Sequence, residues 1–349
     1  VEKKVLLGDK LIGDGAPCFI IAEAGSNHNG NLAQALKLIE LAASAGVDAV
    51  KFQLFRAKTL YPPTAGNSQY LNLRKPIFDI IQDMEMPFEW LRDLHECCKE
   101  NKIMLLASVF DEETADQLSP FVSAFKIASY EMTHFPLIRH VAKKGMPVII
   151  STGTANLSEV EEMVDVFQKT GNPKLILMQC TAAYPAPYES LNIRSIGTMK
   201  QVFRVPVGLS DHSRDPLVGP CAAVALGANV VEKHFTLSNE LAGPDHRFAV
   251  EPKELHQMVL QVRNTEAALG NGEKQMHPVE EELRAFARRS IFASRDIEAH
   301  ETFTKENTAV LRCGNNTLGL EPKDYDRILG CRAQRKMLMN TVIRPEDYA

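Results

Sequence analysis

Paired cysteines, long apolar runs and an excess of basic charge are all missing from this chain of 349 residues. Its seven cysteines stand singly apart from Cys97-Cys98, an odd number without repeated spacing. That pattern excludes a disulfide framework and a Cys-x-x-Cys metal pair, and leaves reduced, buried thiols in a cytoplasmic protein as the expectation. No apolar run approaches the roughly 18–20 residues that cross a bilayer, so no membrane span is expected. The start, Val1-Glu-Lys-Lys, carries no charged-then-apolar leader. A net charge of −5 gives no footprint for a nucleic-acid or membrane-surface partner, although a local cluster of lysines still suits a small anion. A Gly-x-Gly-x-x-Gly turn is absent as well. The first strand runs instead into Glu23-Ala-Gly-Ser-Asn-His-Asn-Gly, which disfavours an open dinucleotide-binding sheet.

What is present is a rhythm. Hydrophobic residues make up 45% of the chain, enough for a sizeable core. Short apolar runs at 18–24, 48–54, 102–108, 122–129, 146–152, 174–181, 205–211 and 229–235 each precede a segment with helical periodicity. Between the second strand and a helix at 89–100 lies a long insertion reaching about Pro87, where Met84-Glu-Met-Pro-Phe-Glu-Trp reads as a loop with Trp90 packing and no chemistry. Eight strand–helix units over about 250 residues predict a closed (β/α)8 TIM barrel. After Leu269 the character changes. The division expected is a barrel over 1–270, a turn-rich linker over 271–287 with a short helix, and a compact β-rich domain over 288–349.

A barrel of this kind builds its site from the C-terminal strand ends, which turns the strands into a site map. The ends carry Glu23 (with Asn27 and His28 beyond it), Lys51 and Gln53, Ser108, Lys126 with Ser129 and Glu131, Ser151, Thr181 with Tyr184, Ser210-Asp211-His212, and Glu232-Lys233-His234. Side chains alternate along a strand, so Lys51 shares a face with Gln53 and Glu232 with His234. Two lysines among four serines form a plausible cradle for a phosphate and a carboxylate. The plainer alternative makes either lysine a structural ion-pair partner of Glu23 or Glu131. His212 and His234 end neighbouring strands and can converge on one divalent ion, with Glu232 or Asp211 behind them. Two histidines with oxygen ligands suit manganese, cobalt or iron better than zinc. His28, His134 and His246 are further candidates, whereas the remaining histidines fit surface patterns.

The stretches Ile21-Ala-Glu-Ala-Gly-Ser-Asn-His-Asn-Gly, Val50-Lys-Phe-Gln, Ala124-Phe-Lys-Ile-Ala-Ser-Tyr-Glu, Ser151-Thr-Gly, Gly208-Leu-Ser-Asp-His-Ser, Glu232-Lys-His-Phe-Thr and Gly243-Pro-Asp-His span the barrel. Together they resemble the N-acetylneuraminate (sialic acid) synthase family, which includes legionaminate, pseudaminate and spore-coat polysaccharide synthases. From Arg288 the tail resembles that family's C-terminal antifreeze-like (SAF) domain. The resemblance implies condensation of phosphoenolpyruvate with N-acetylmannosamine or a related amino sugar and water, giving a nonulosonic acid and phosphate by C–O cleavage. It assigns phosphoenolpyruvate to Lys51, Ser108, Lys126, Ser129, Ser151 and Ser210, and the sugar to Gln53, Glu131, Tyr184, Asp245 and Arg312. It assigns manganese to His212 and His234, and to Glu23 the orientation of water or a lysine. It also implies a domain-swapped homodimer in which the tail reaches the partner's barrel. Three departures stand out: Ala182 in Cys180-Thr-Ala-Ala-Tyr lacks the family's amide, Ser108-Val-Phe replaces Thr-Pro-Phe, and Arg312-Cys-Gly replaces Arg-Pro-Gly. The competing readings are another phosphoenolpyruvate–aldose synthase and a catalytically silent sugar-acid binder.

Overall fold

In the computed structural model the described residues are 3–67 and 75–349, so Val1-Glu2 and part of the insertion lie outside them. The chain divides into two compact units, residues 1–270 and 271–349. The first holds a closed barrel of eight parallel strands: β3 (Phe19–Gly25), β4 (Ala49–Leu54), β5 (Met104–Val109), β6 (Phe125–Ile127), β7 (Val148–Ser151), β8 (Leu175–Cys180), β9 (Val207–Asp211) and β10 (Val230–His234). Each pairs with its sequence neighbour, and β10 closes on β3 with His234 beside Glu23.

Both faces of these strands are buried, which is why runs such as Phe19-Ile-Ile-Ala and Leu175-Ile-Leu-Met are apolar throughout. Outward residues, among them Ile20, Val50, Phe52, Ile150 and Leu177, pack under the surrounding helices. Inward residues Phe19, Ile21, Ala49, Leu106, Ile149, Ile176 and Val230 form a separate core inside the barrel. The helices begin and end on local signals. Asn31 accepts from the Gln34 N–H at the start of Leu32–Ala45, and Gly46 ends it at φ 89°. Asn156 and Glu159 form a capping box on Leu157–Gln168.

An N-terminal hairpin that sequence periodicity does not reveal floors the barrel. Strands β1 (Lys4–Leu7) and β2 (Lys10–Gly13) pair Leu7 with Lys10 across Gly8-Asp9, where Gly8 takes the positive φ (59°) of a tight turn. Their buried Val5, Leu7 and Ile12 complete the inner core. Four-residue strands are too short for alternation to be diagnostic, and the fold supplies the burial that stabilises them. The strand expected over 122–129 shrinks to β6, because Ser129–Thr133 curls into a 3-10 turn that brings Glu131 inward.

Close packing around the inner core has a measurable consequence. A Cβ at Gly208 would lie 2.3 Å from the Val230 carbonyl oxygen and 2.8 Å from Met178 Sδ. Gly208→Ala is therefore expected to cost about 1–3 kcal/mol through overpacking, read as a lowered unfolding midpoint.

In the second unit β11 (Arg289–Ala293) pairs antiparallel with β12 (Thr308–Arg312) over a core that includes Ile291, Ile297, Phe303, Leu320, Ile328, Met337 and Ile343. The linker helix is Glu281–Ala287 and belongs to this unit. Much of the domain is irregular backbone held by specific bonds. Buried Asp347 accepts from Arg335 Nε at 2.7 Å and from the Arg344 N–H at 2.9 Å. No described helix is long and apolar enough to cross a membrane.

Candidate active site

Strand alternation continues each inward apolar residue into a polar one nearer the C-terminal mouth. Ile21 leads to Glu23, Ala49 to Lys51, Leu106 to Ser108, Ala124 to Lys126, Ile149 to Ser151, Met178 to Cys180, Gly208 to Ser210 and Val230 to Glu232. All eight polar ends are buried.

All but Cys180 form one connected network. Lys51 Nζ lies 2.6 Å from Glu23 Oε2 and 3.6 Å from Glu232 Oε2, and it donates to Ser108 Oγ at 3.2 Å. Lys126 Nζ donates to Ser151 Oγ at 2.6 Å and lies 4.0 Å from Glu232 Oε1. Ser210 donates to Glu232 at 2.8 Å, and Gln53 donates to Glu23 at 2.7 Å. The expected Glu23–Lys51 ion pair is thus present, with Glu232 rather than Glu131 as the second carboxylate.

Burial would discharge each of these groups, and their neighbours decide the outcome. Burial raises Glu23 and Lys51 offsets this only in part, so its carboxyl stays above the usual range. Burial also opposes the charges on Lys51 and Glu232, but opposite charges win in both: Lys51 is raised and Glu232 lowered. Burial depresses Lys126, and the attraction of Glu232 does not restore it. Two lysines thus share two carboxylates in a low-dielectric interior, an arrangement in which each amine has more than one possible partner.

Above this layer sit the histidines. The rings of His212 and His234 lie 5.2 Å apart between centroids, flanked by Tyr184 at 4.4 Å from His212 and Phe248 at 4.9 Å from His234. His212 Nδ1 lies 2.8 Å from the Thr181 carbonyl, which accepts its proton, and leaves Nε2, 4.0 Å from Cys180 Sγ, as the nitrogen able to ligate. Burial lowers His212, but Cys180 outweighs it and raises the ring above the usual range. His234 Nδ1 is buried without a hydrogen bond, 3.5 Å from Asp245 Oδ2. Burial, reinforced by His212 and the lysines, pulls His234 well below the ordinary histidine range, so it is a neutral donor. Among the described residues no three or more His, Cys, Asp or Glu side chains converge as a ready metal cage. The donor chemistry fits an ion held by two imidazoles, with its other positions left to water or substrate oxygens.

Asp245 lies beside His234, and Glu131 is within reach of the charge on Lys126. Burial and the nearby Glu23 push Asp245 up to about 6. Glu131 is pushed up to about 7 by burial, which Lys126 only partly offsets, and its Oε2 has no hydrogen-bond partner. Ser129 accepts from the Gly153 N–H at 3.0 Å, in a space so tight that a Cβ at Gly153 would meet Ser129 Oγ at 2.8 Å.

Several expected contributors stand elsewhere. Neither carboxylate expected behind the histidines hydrogen-bonds them. Glu232 turns to the lysines, and Asp211 points outward to bind Lys233 at 2.8 Å in a fully buried pair. His28 packs edge-on to Trp90 at 5.4 Å and near Phe52, and burial depresses it to about 4. Asn27 donates to the Phe235 carbonyl, and His134 caps the helix Phe135–Lys143. His246 is buried beside the mouth without facing the lysines. Arg312 ends β12 with an exposed side chain. Residue-level reasoning missed Cys180, whose sulfur lies 3.7 Å from His212 Nδ1, although alternation from Ile176 and Met178 points to it. Nothing in the sequence marks Phe248.

Fold and site together define a TIM-barrel protein whose mouth sets a buried network of lysines, serines and carboxylates beside two imidazoles. The chain belongs to the NeuB family: that family's model matches residues 38–274, and the SAF domain matches 288–349. It is 42% identical to the Bacillus subtilis spore coat polysaccharide biosynthesis protein SpsE, whose crystal structure superposes with a TM-score of 0.68 over 99% of both chains. It is 37% identical to N,N'-diacetyllegionaminic acid synthase of Legionella pneumophila over 96% of each chain. A sialic acid synthetase from Leptospira borgpetersenii, solved with citrate, is 34% identical, with a TM-score of 0.73 over 80% of this chain and 94% of that one.

Proposed function

We propose that this protein is a synthase that condenses phosphoenolpyruvate with an N-acylated amino sugar, N-acetylmannosamine or a relative, to give a nonulosonic acid and phosphate. The observation that carries the reading is the network of Lys51, Ser108, Lys126, Ser151 and Ser210 around buried Glu232, directly beside the histidine pair. Membership of a family whose relatives are named as nonulosonic acid synthases supports it.

In this reading Lys51 and Lys126 trade part of their carboxylate partnership for the phosphate and carboxylate of phosphoenolpyruvate, with Ser108, Ser129, Ser151 and Ser210 as hydroxyl donors. Gln53, Glu131, Tyr184 and Asp245 line the place of the open-chain sugar. Manganese, when held by His212 and His234, would supply a Lewis acid for the aldehyde oxygen. The enol phosphate's methylene carbon forms the new C–C bond to the aldehyde carbon, whose oxygen takes up a proton and becomes a hydroxyl. The cationic charge left at the adjacent carbon would be balanced by Glu23 and Glu232, the carboxylates that pair with the same lysines. Glu23 orients the water that adds there with loss of a proton. The tetrahedral adduct then breaks its C–O bond to phosphate, the bonding pair leaves on the bridging oxygen, and the hydroxyl becomes the keto group as it loses its proton.

Phosphoenolpyruvate labelled with 18O at the bridging position tests this course. The label is expected in the released phosphate; label retained in the sugar acid would mean P–O cleavage and overturn the scheme.

The SAF domain completes the proposal. We assign Arg312 to the amino sugar, delivered in a domain-swapped homodimer. Arg312→Ala is expected to raise the sugar KM by about tenfold or more while leaving the phosphoenolpyruvate KM within about twofold, as loss of a charged hydrogen bond predicts. Unchanged sugar saturation would remove the tail from the site.

A further inference from the structure

We propose that His246 is a positioning residue: by locking its imidazole between Thr236 and Asn29 it fixes Asp245 over the barrel mouth. The proposal rests on the condensing reading above for its kinetic test, and on geometry for its basis.

His246 is completely buried, yet it faces none of the cradle residues. Its Nδ1 lies 2.6 Å from Thr236 Oγ1, just past the end of β10, and its Nε2 lies 3.1 Å from Asn29 Oδ1, in the loop after β3. Asn29 Oδ1 only accepts, so Nε2 carries the proton and Nδ1 accepts from the Thr236 hydroxyl, for whose single proton the Ser238 carbonyl at 3.2 Å is the longer, competing acceptor. Strands β10 and β3 are the pair at which the barrel closes. One side chain thus ties together the two loops that rise from that seam.

The loop is shaped around the ring. Gly243 sits at φ 152°, and a Cβ there would come within 2.7 Å of His246 Cδ2. Asn239 Nδ2 donates to the His246 carbonyl and, at 2.8 Å, to that of Ala249, which closes the loop from behind.

Asp245 immediately precedes His246 in this loop, so the latch sets where its carboxylate lies. Oδ2 reaches 3.5 Å from His234 Nδ1, the buried nitrogen without a hydrogen bond. A point above Gly25 has Asp245 Oδ2, Glu23 Oε1 and Gln53 Nε2 all within 3.5 Å. The carboxylate therefore lies beside the proposed metal ligand and close to Glu23 and Gln53, which the proposed function places in the water and sugar site. An apolar side chain would fill the His246 space without burying two polar nitrogens. What the imidazole adds is two directional bonds that fix the rotation of the loop.

The test uses His246→Gln, which keeps a donor near the Nε2 position, His246→Asn, which keeps a partner for Thr236, and Asn29→Gly. Asn29 holds φ 50°, so glycine removes the acceptor without straining the backbone. Each variant is assayed for sugar KM, phosphoenolpyruvate KM, unfolding midpoint, and affinity of the metal-free protein for Co2+ by visible absorption. In Asn29→Gly the sugar KM is expected to rise and Co2+ affinity to fall by about tenfold, as for other outer partners of metal ligands. The phosphoenolpyruvate KM and unfolding midpoint should hold. Against His246→Ala, assayed alongside as the full loss, His246→Gln and His246→Asn should each restore part of the sugar KM and Co2+ affinity.

Unchanged sugar KM and Co2+ affinity in Asn29→Gly would overturn the proposal. So would both substrate KM values rising in step with lost stability. Asn29→Gly decides the matter where the His246 variants fail to fold. A wild-type protein that binds Co2+ but turns over no acceptor would count against the condensing reading, and the Co2+ affinities would then decide the latch alone.

Discussion

Lys51→Met is expected to lower turnover with phosphoenolpyruvate on the order of 10²–10³-fold, comparable to removing one preorganised donor from a charged site. It should also destabilise the fold by about 3–5 kcal/mol, the range for breaking a buried pair from one side. The reason is that Glu23, 2.6 Å away and only 1% exposed, would lose its cation in the barrel interior. Glu232 is less affected, since Ser210 and Lys126 remain to it. The double variant Lys51→Met/Glu23→Gln separates the two effects. Removing both charges should recover most of the stability and none of the activity. If the single variant keeps activity within about tenfold of wild type, Lys51 is only a structural partner of Glu23. Thermal unfolding and phosphate release measured on the same samples give the answer.

His212→Ala and His234→Ala are expected to abolish metal-dependent turnover. The loss should be on the order of 10³-fold or more, because Lewis-acid stabilisation amounts to several kcal/mol. Stability should change less than in Lys51→Met, since His234 is held neutral and His212 is partnered by the Thr181 carbonyl and Cys180 and by no carboxylate. His212 surrenders its bond to Thr181 and its contact with Tyr184, and His234 its packing on Phe248. Chelated wild type should lose activity and regain it with manganese, whereas neither variant should respond. Full activity in both variants after chelation would refute the histidine pair as a metal site.

Much of the barrel was legible because a parallel sheet buried on both faces leaves a plain signature, apolar runs followed by helical periodicity. The ladder of inward residues was legible too, since alternation carries Ala49 to Lys51 and Val230 to Glu232 without reference to distant contacts. The same rule applied to Ser210-Asp211-His212 puts Asp211 outside the barrel, where it meets Lys233. Treating every polar residue at a strand end as a site contributor obscured that. His28 shows the limit of the rule. Beyond the last strand residue the chain turns, and whether a loop side chain faces the mouth or an outer pocket beside Trp90 depends on packing from a remote helix. The hairpin that floors the barrel was invisible for a related reason, because its stability comes from the inner core it completes and little from its eight strand residues. Tertiary partners, Glu232 with both lysines and His246 with Asn29, likewise require the closed barrel to bring residues far apart in sequence together.

Phosphate release from phosphoenolpyruvate tests the central claim most directly. The manganese-loaded protein would be given N-acetylmannosamine, its 6-phosphate and the two di-N-acetylated hexoses that lead to legionaminate and pseudaminate, in parallel. The account predicts release that depends on one of these acceptors and ceases on chelation. No release with any of them, from protein shown to be folded and metal-loaded, would contradict it.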